Sequence, residues 1–256
     1  MKILFLGTAA FDYSSKLATE FIDCFDLNAR RSSSALLNDK YLIDCGDHGL
    51  DSLRIAKVDI AKISDVFITH LHRDHYNTEY IESIAKKKNE ELRVWVRADA
   101  LVPKLENVVF MRMEKGKKYA VDEDFHVTGF LANHEAEAFP QHLLFEDNEK
   151  SFFYGLDGAW FVNETYRALK NRALNCIVLD GTCGESVNDY RVGSHNSIPM
   201  LRVLVASLRT SGTITADTQV YISHLAPSLH ASHEETVSIL QKDGIAVAYD
   251  GLQIEF

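Results

Sequence analysis

Cysteine and proline are scarce in this chain, four of each in 256 residues. Cys24, Cys45, Cys176 and Cys183 fall in no metal-binding spacing. A chain this long has no need of covalent staples, so a disulfide scaffold is excluded and a reducing cytoplasm is the expected home. Linkers rich in proline, glycine or serine, internal repeats and low-complexity tracts are absent too, which points to a single domain over residues 1–256. No apolar run approaches the ~20 residues that cross a bilayer, so no membrane partner is expected. The opening Met1-Lys2-Ile3-Leu4-Phe5-Leu6-Gly7 is too short for a signal-peptide core and reads as a first strand.

Positive charge is also in short supply. Lysine and arginine total 27 against 37 acidic residues, a net charge of −10. A protein held to nucleic acid mainly through the phosphate backbone needs clustered basic groups, so no such binding is expected. Lys86-Lys87-Lys88 and Lys115-Gly116-Lys117-Lys118 are the local exceptions and read as a solvated helix end and a turn.

What the chain does have is core. Its 46% hydrophobic residues are distributed in short β-rich runs near 2–6, 33–38, 41–44, 65–68, 93–97, 107–111, 125–131, 142–146, 151–155, 176–180, 219–222 and 246–255. Helical spacing fits 50–56, 78–88, 163–171, 197–211 and 233–242, the last opened by Ser232-His233-Glu234-Glu235 with its acidic groups on the positive end of the helix dipole. Strands first and helices interspersed suit two sheets packed face to face with helices outside.

One hexapeptide carries most of the chemistry. His70-Leu71-His72-Arg73-Asp74-His75 follows the apolar run Val66-Phe67-Ile68 and gathers three imidazoles and a carboxylate at a strand end. On an extended chain His70, His72 and Asp74 would face one side and His75 the other, which suits two metal ions better than one. Imidazole and carboxylate accept zinc, manganese or iron, and no thiolate is present to select among them. Further ligands should lie at other strand ends, where a rigid sheet holds them. His134, Asp157 and His224 each close an apolar β-rich run.

With these residues the chain resembles the metallo-β-lactamase superfamily, whose HxHxDH signature is matched by residues 70–75 and whose later ligands are matched by His134, Asp157 and His224. The resemblance implies an α/β fold, a four-layer αββα sandwich. It implies two divalent transition-metal ions, with His70, His72 and His134 on one, Asp74, His75 and His224 on the other, and Asp157 between them. Asp74 then counts as catalytic as well as a ligand, and Asp44, in Tyr41-Leu42-Ile43-Asp44, sits behind the histidine loop. A hydroxide shared by ions about 3.5 to 4 Å apart would be the nucleophile.

Three further stretches are similar to the phosphoribosyl 1,2-cyclic phosphate phosphodiesterase branch: Ile177-Val178-Leu179-Asp180-Gly181-Thr182, Gly193-Ser194-His195-Asn196, and Ile222-Ser223-His224 together with Val247-Ala248-Tyr249-Asp250-Gly251-Leu252. That likeness makes His195 a catalytic residue outside the ligand set, with Asp180 to orient it. Arg31 aligns with the family's Arg/Ser stretch and Arg191 lies four residues before His195, so both are candidates to meet a substrate phosphate. The branch also holds a structural zinc through an early cysteine cluster and a histidine three residues beyond the last ligand. Here residues 16–26 offer only Cys24, and the later position is Pro227, so no additional structural zinc is expected.

The expected activity is hydrolysis of a small cyclic or nucleotide-like phosphodiester. A lactonase or thioesterase of the same fold, or a metal-binding sensor without turnover, are the alternatives. Leu17, Phe21 and Phe25 stand at helical spacing, a stripe for packing on the body, for a lid or for a homodimer surface.

Overall fold

The computed structural model describes residues 1–19, 22–88 and 90–256. Its strands are β1 (Lys2–Gly7), β2 (Ser34–Leu37), β3 (Tyr41–Ile43), β4 (Asp65–Phe67), β5 (Leu92–Arg97), β6 (Val108–Met113), β7 (Lys118–Ala120), β8 (His126–Leu131), β9 (Gln141–Glu146), β10 (Ser151–Gly155), β11 (Cys176–Asp180), β12 (Gln219–Ser223), β13 (Ala246–Val247) and β14 (Gln253–Glu255). Its helices are α1 (Lys16–Thr19), α2 (Gly49–Ile55), α3 (Thr78–Ala85), α4 (Asn163–Leu169), α5 (Ile198–Thr210) and α6 (His233–Leu240). Among the described residues, no helix is long and apolar enough to cross a membrane.

Two seven-stranded sheets form, ordered β14-β1-β2-β3-β4-β5-β6 and β13-β12-β11-β10-β9-β8-β7. Alternation along each strand decides what fills the space between them. Phe67, Trp95, Phe145, Phe152 and Val178 belong to one cluster between the sheets. Their sequence neighbours Val66 and Val94 turn outward onto Leu53, Ile81 and Ile84 of α2 and α3. On the far side Phe153, Ile177 and Leu179 meet Leu169, Leu204 and Leu240 of α4, α5 and α6. The layers therefore run helix, sheet, sheet, helix.

Strand direction then places the site. In one sheet β3 to β6 are parallel and β1 runs the same way, because β1 and β3 are both antiparallel to β2. In the other, β10 to β13 are parallel, and β8 shares their direction through two antiparallel pairings with β9. The residues that follow β3, β4, β8, β10, β11 and β12 thus gather at one edge of each sheet, the carboxyl ends, where open α/β sheets hold ligands.

Two strand expectations need correction. The single strand read over 246–255 is two, β13 in one sheet and β14 in the other, because the chain turns through Asp250 and Gly251 to cross between them. Gly251 sits at φ +89, and a side chain there would meet the Phe25 ring at 2.6 Å. β7 is absent from the expected strands, and its Lys118 belongs to the basic run expected to be a turn; Lys118-Tyr119-Ala120 becomes an edge strand through backbone pairing with β8. Of the stripe at residues 17, 21 and 25, Phe21 lies outside the described residues.

Asp250 fixes this crossing. It accepts hydrogen bonds from the Arg31 backbone N–H at 2.7 Å and from the Thr8 hydroxyl at 2.7 Å. Burial nonetheless raises its carboxyl from 3.8 to about 6. The folded chain therefore binds more protons than the unfolded one between those values, and stability falls as pH rises through that window, by up to about 3 kcal/mol. Urea unfolding between pH 4 and 6.5 should show this slope in the parent and a flatter one in Asp250→Asn, and parallel profiles would reject it. In the central layer, Phe67 stacks on Trp95 at 5.7 Å and meets Phe145 edge-on at 5.1 Å with no exposure. Phe67→Ala should lower unfolding stability by about 3–5 kcal/mol, and a loss below 1 kcal/mol would mean that the sheets can close over the gap.

Candidate metal centre

The hexapeptide after β4 is a tight turn, not an extended segment. The His75 and Tyr76 amides both donate to the His72 carbonyl, at 3.0 and 2.8 Å. The alternation expected for an extended chain is thereby corrected: Asp74 does not share a side with His70 and His72. His70 Nε2 lies 3.0 Å from His72 Nδ1, and His134 Nε2 lies 3.3 Å from the same atom. Asp74 goes instead with His75 and His224. His75 Nε2 is 3.3 Å from His224 Nε2 and 3.3 Å from Asp74 Oδ2. Asp157 stands between the two groups, with one oxygen 3.1 Å from His75 Nε2 and the other 3.1 Å from His224 Nε2 and 3.8 Å from His70 Nε2.

Each imidazole is held from behind. His75 Nδ1 donates to Asp44 Oδ2 at 2.8 Å, and Asp44 also accepts from the Thr69 amide and hydroxyl, both at 2.8 Å. Thr69 Oγ1 is 3.1 Å from His70 Nδ1. His134 Nδ1 donates to the Ser194 carbonyl at 3.3 Å. His224 Nδ1 is 2.7 Å from Thr182 Oγ1. Only His72 is reversed, with Nδ1 inward and Nε2 3.2 Å from Glu135. Anchoring one ring nitrogen leaves the other to face the centre, which is how ligand histidines are oriented.

The backbone contributes as well. Asp44, Asp157 and His224 have φ of 58, 53 and 60, a left-handed conformation that non-glycine residues adopt at a cost of about 1–3 kcal/mol when nothing compensates. Each stands just past a strand end, where the sharp turn aims its side chain across the opening between the sheets.

Electrostatics pull hard on these groups. Burial works against charge on Asp74, yet His75 and His224 hold its carboxyl well below the usual range. Burial would likewise suppress protonation of His75, and Asp157, Asp74 and Asp44 overcome it and raise the imidazole. His70, with burial and three other histidines around it, is lowered. None of Asp44, Asp74, Asp157 and Asp180 has an arginine or lysine within ion-pair distance among the described residues.

This donor set fits divalent metal ions. The nitrogen and oxygen atoms of His70, His72 and His134, of Asp74, His75 and His224, and of His70, His75 and Asp157 lie within 4.8 Å of one another in each group. Asp157 Oδ2 is buried without a hydrogen-bond donor, an unsatisfied state that a cation would relieve.

His195 stands beside the cluster, its ring stacked on His224 at 5.3 Å and edge-on to His134 at 4.9 Å. Its Nδ1 donates to Asp180 Oδ2 at 2.7 Å. Burial would depress the imidazole, but the Asp180 carboxylate, through charge and hydrogen bond, raises it to about 9. Asp180 in turn accepts from the Thr182 and Asn196 amides at 2.9 and 3.1 Å. Asp180, His195, Asp157 and His224 also form a fourth close group.

The two arginines part ways. Arg31 does not face the centre: it is 1% exposed, pairs with Asp51 at 3.1 Å and donates to the carbonyls of Ile22 and Cys24. The expectation that it meets substrate is corrected, since its charge and donors are committed to anchoring the segment before β2. Arg191 lines a cavity of about 420 Å³ over the cluster, along with Phe11, Asp12, Arg73 and Tyr190. Its guanidinium is held by Asp189 at 2.8 Å and by Asp12 at 3.4 Å. Thr69 and Glu135 carry no signal of their own in the sequence, and Ser194 enters only as part of the stretch Gly193-Ser194-His195-Asn196; each adjoins a singled-out histidine in the chain, and that adjacency is the available signal.

Comparison with known proteins agrees with this architecture. A family described as "Anti-Pycsar protein Apyc1" matches residues 1–106, less than half of the chain. A structure described as a new diphosphatase from the PhnP family has a TM-score of 0.75 at 17% identity, covering 100% of this chain and 96% of that one. The metallo-β-lactamase fold protein YhfI from Bacillus subtilis gives 0.73 at 12%, covering 100% and 99%. Human tRNase Z, short form, gives 0.69 at 16%, covering 100% and 99%. No curated protein matches the chain in sequence. The chain has the metallo-β-lactamase fold.

Asp157 offers an oxygen to each ligand group, so Asp157→Ala should lower bound metal sharply at either position. Elemental analysis of the variant purified with excess Zn²⁺ or Mn²⁺ checks this, and metal content equal to the parent's would remove Asp157 from the centre.

Proposed function

We propose that the chain is a metal-dependent hydrolase of phosphate esters, acting on a small cyclic or nucleotide-like phosphodiester. The observation that carries this reading is the Asp180–His195 pair set against a complete His/Asp ligand cluster at the floor of a cavity. Two divalent ions would be held there, one by His70, His72 and His134 and one by Asp74, His75 and His224, with Asp157 available to both. When bound, such ions neutralise phosphoryl charge and lower the pKa of water at the site.

The chain's own residues supply the rest. Asp180 fixes the His195 ring through Nδ1, so Nε2 is presented toward the cavity. From there it passes a proton to the departing alkoxide oxygen, or holds a phosphoryl oxygen as charge builds on it. Thr182 ties this pair to His224, since its hydroxyl lies 3.1 Å from His195 Nδ1 and 2.7 Å from His224 Nδ1. A volume of about 420 Å³ suits a small molecule. The net charge of −10, and the commitment of Arg191 to two aspartates, weigh against a nucleic-acid polymer. We read residues 1–256 as one working unit, because both sheets contribute ligands. The diphosphatase named among the solved relatives is in keeping with phosphate chemistry.

His195 is outside the ligand set in this reading, so His195→Ala should keep the metal complement. On a diester with a poor leaving group kcat should fall roughly 10²–10⁴-fold. On bis-p-nitrophenyl phosphate the loss should be much smaller if His195 donates the proton, and equal if it stabilises charge. Initial rates on phosphodiesters, lactones and thioesters decide the class: faster hydrolysis of lactones or thioesters, untouched by His195→Ala, would overturn the phosphodiesterase reading.

A further inference from the structure

Behind the metal centre, on the outer side of the segment joining β12 to α6, lies a second cavity of about 310 Å³, bordered by Asn28, Arg30, Pro227, His230 and His233. It is close to the centre through the chain. Leu225 lines it and follows His224, while His230 Nε2 donates to the Gly181 carbonyl at 2.6 Å, beside Asp180.

Arg30 is the anomaly here. It is 6% exposed, and its guanidinium donates to Thr8 Oγ1 and the Ala248 carbonyl, both at 2.6 Å, and to His233 Nδ1 at 2.9 Å. All of these acceptors are uncharged. The Asp250 carboxylate is reached only through Thr8, whose hydroxyl donates to it, and among the described residues no carboxylate lies within ion-pair distance of Arg30. No aspartate or glutamate lines the cavity, in a chain that carries ten more negative than positive charges. Asp250 and Glu234 act on the guanidinium only from beyond ion-pair distance. A buried cation so weakly compensated costs stability, and an anion taken from solvent offsets that cost.

The neighbouring groups are donors as well. His233 accepts from Arg30 at Nδ1, so its proton is on Nε2 and available. Asn28 accepts the His233 amide at Oδ1 at 3.0 Å, which leaves its Nδ2 amide hydrogens free to donate. The end of α6 adds nothing, since the Ser232–Glu235 capping box uses the Ser232 and Glu235 amides. Side chains alone build the site: a guanidinium, an imidazole N–H and a carboxamide, three donors around one small cavity.

We propose that this cavity binds a phosphate group, as the free ion or as the end of a small phosphomonoester. Arg30 supplies the charge, and His233 and Asn28 supply further hydrogen bonds to its oxygens. Because the cavity borders the chain next to both His224 and Gly181, the bound anion braces the ends of β11 and β12 from behind.

The test uses the metal-loaded full chain. Its melting temperature is followed against inorganic phosphate and, separately, ribose 5-phosphate, each referred to chloride at equal ionic strength. A saturable rise is expected in the parent. In Arg30→Gln and in His233→Ala the affinity read from that rise should fall roughly tenfold or more, with metal content and hydrolytic rate unchanged. Tighter binding of ribose 5-phosphate assigns the cavity to a monoester, and tighter binding of inorganic phosphate to the free ion. No saturable rise in the parent overturns the proposal, and so does an undiminished rise in both variants, which would place the phosphate at the metal centre. Should Arg30→Gln fail to fold, His233→Ala, half-exposed at the cavity rim, decides alone.

Discussion

Four carboxylates buried among five inward-facing imidazoles, with no arginine or lysine paired to them among the described residues, set the terms for the rest of the molecule. Such a cluster has too little positive charge of its own, and burial strips most of its solvation. It persists because every ring has a second partner. Asp44, Thr69, Thr182, Ser194 and Glu135 each take one nitrogen and leave the other to the centre. The left-handed turns at Asp44, Asp157 and His224 belong to the same arrangement. Those conformations are unfavourable in isolation, and they are held by hydrogen bonds at the strand ends, where a cation would repay both strain and desolvation.

The two sheets share this load evenly. Asp44 and residues 70–75 come from the ends of β3 and β4, while His134, Asp157, Asp180 and His224 come from β8, β10, β11 and β12. Neither sheet holds a complete set. Metal binding should therefore be linked to the packing of Phe67, Trp95 and Phe145 against Phe152 and Val178, because any opening of that interface pulls the ligand groups apart.

The cluster's membership is legible in the sequence for a simple reason: ligand types of low frequency are concentrated at the ends of apolar runs, and the ends of strands that run in one direction must meet at one edge of their sheets. Their geometry is less legible. Period-two alternation describes a strand, and residues 70–75 close a turn on the His72 carbonyl, so the side on which Asp74 falls follows from a hydrogen bond that no residue pattern announces. Arg31 fails for a related reason. Its charge marks it as a group needing an anion, but the choice between Asp51 and a substrate phosphate depends on where α2 packs. β7 and the 246–255 crossing depend on neighbours distant in sequence in the same way: backbone pairing makes the first, and Asp250, tied to Thr8 and Arg31, breaks the second.

Arg30 and Arg31 show how one dipeptide serves two purposes. Arg31 turns toward Asp51 and fixes the long connection after β1, and its backbone amide binds Asp250. Arg30 turns the opposite way, toward Ala248 and His233, and ends among neutral acceptors in a cavity free of carboxylates. Two adjacent guanidiniums thereby reach both sides of the chain crossing at Asp250, one with a carboxylate at ion-pair distance and one, among the described residues, without. That asymmetry is costly for a buried charge, and in a chain so rich in acidic residues a carboxylate partner for Arg30 would be easy to supply. Keeping the guanidinium unpaired is consistent with a position reserved for an anion that arrives from solution.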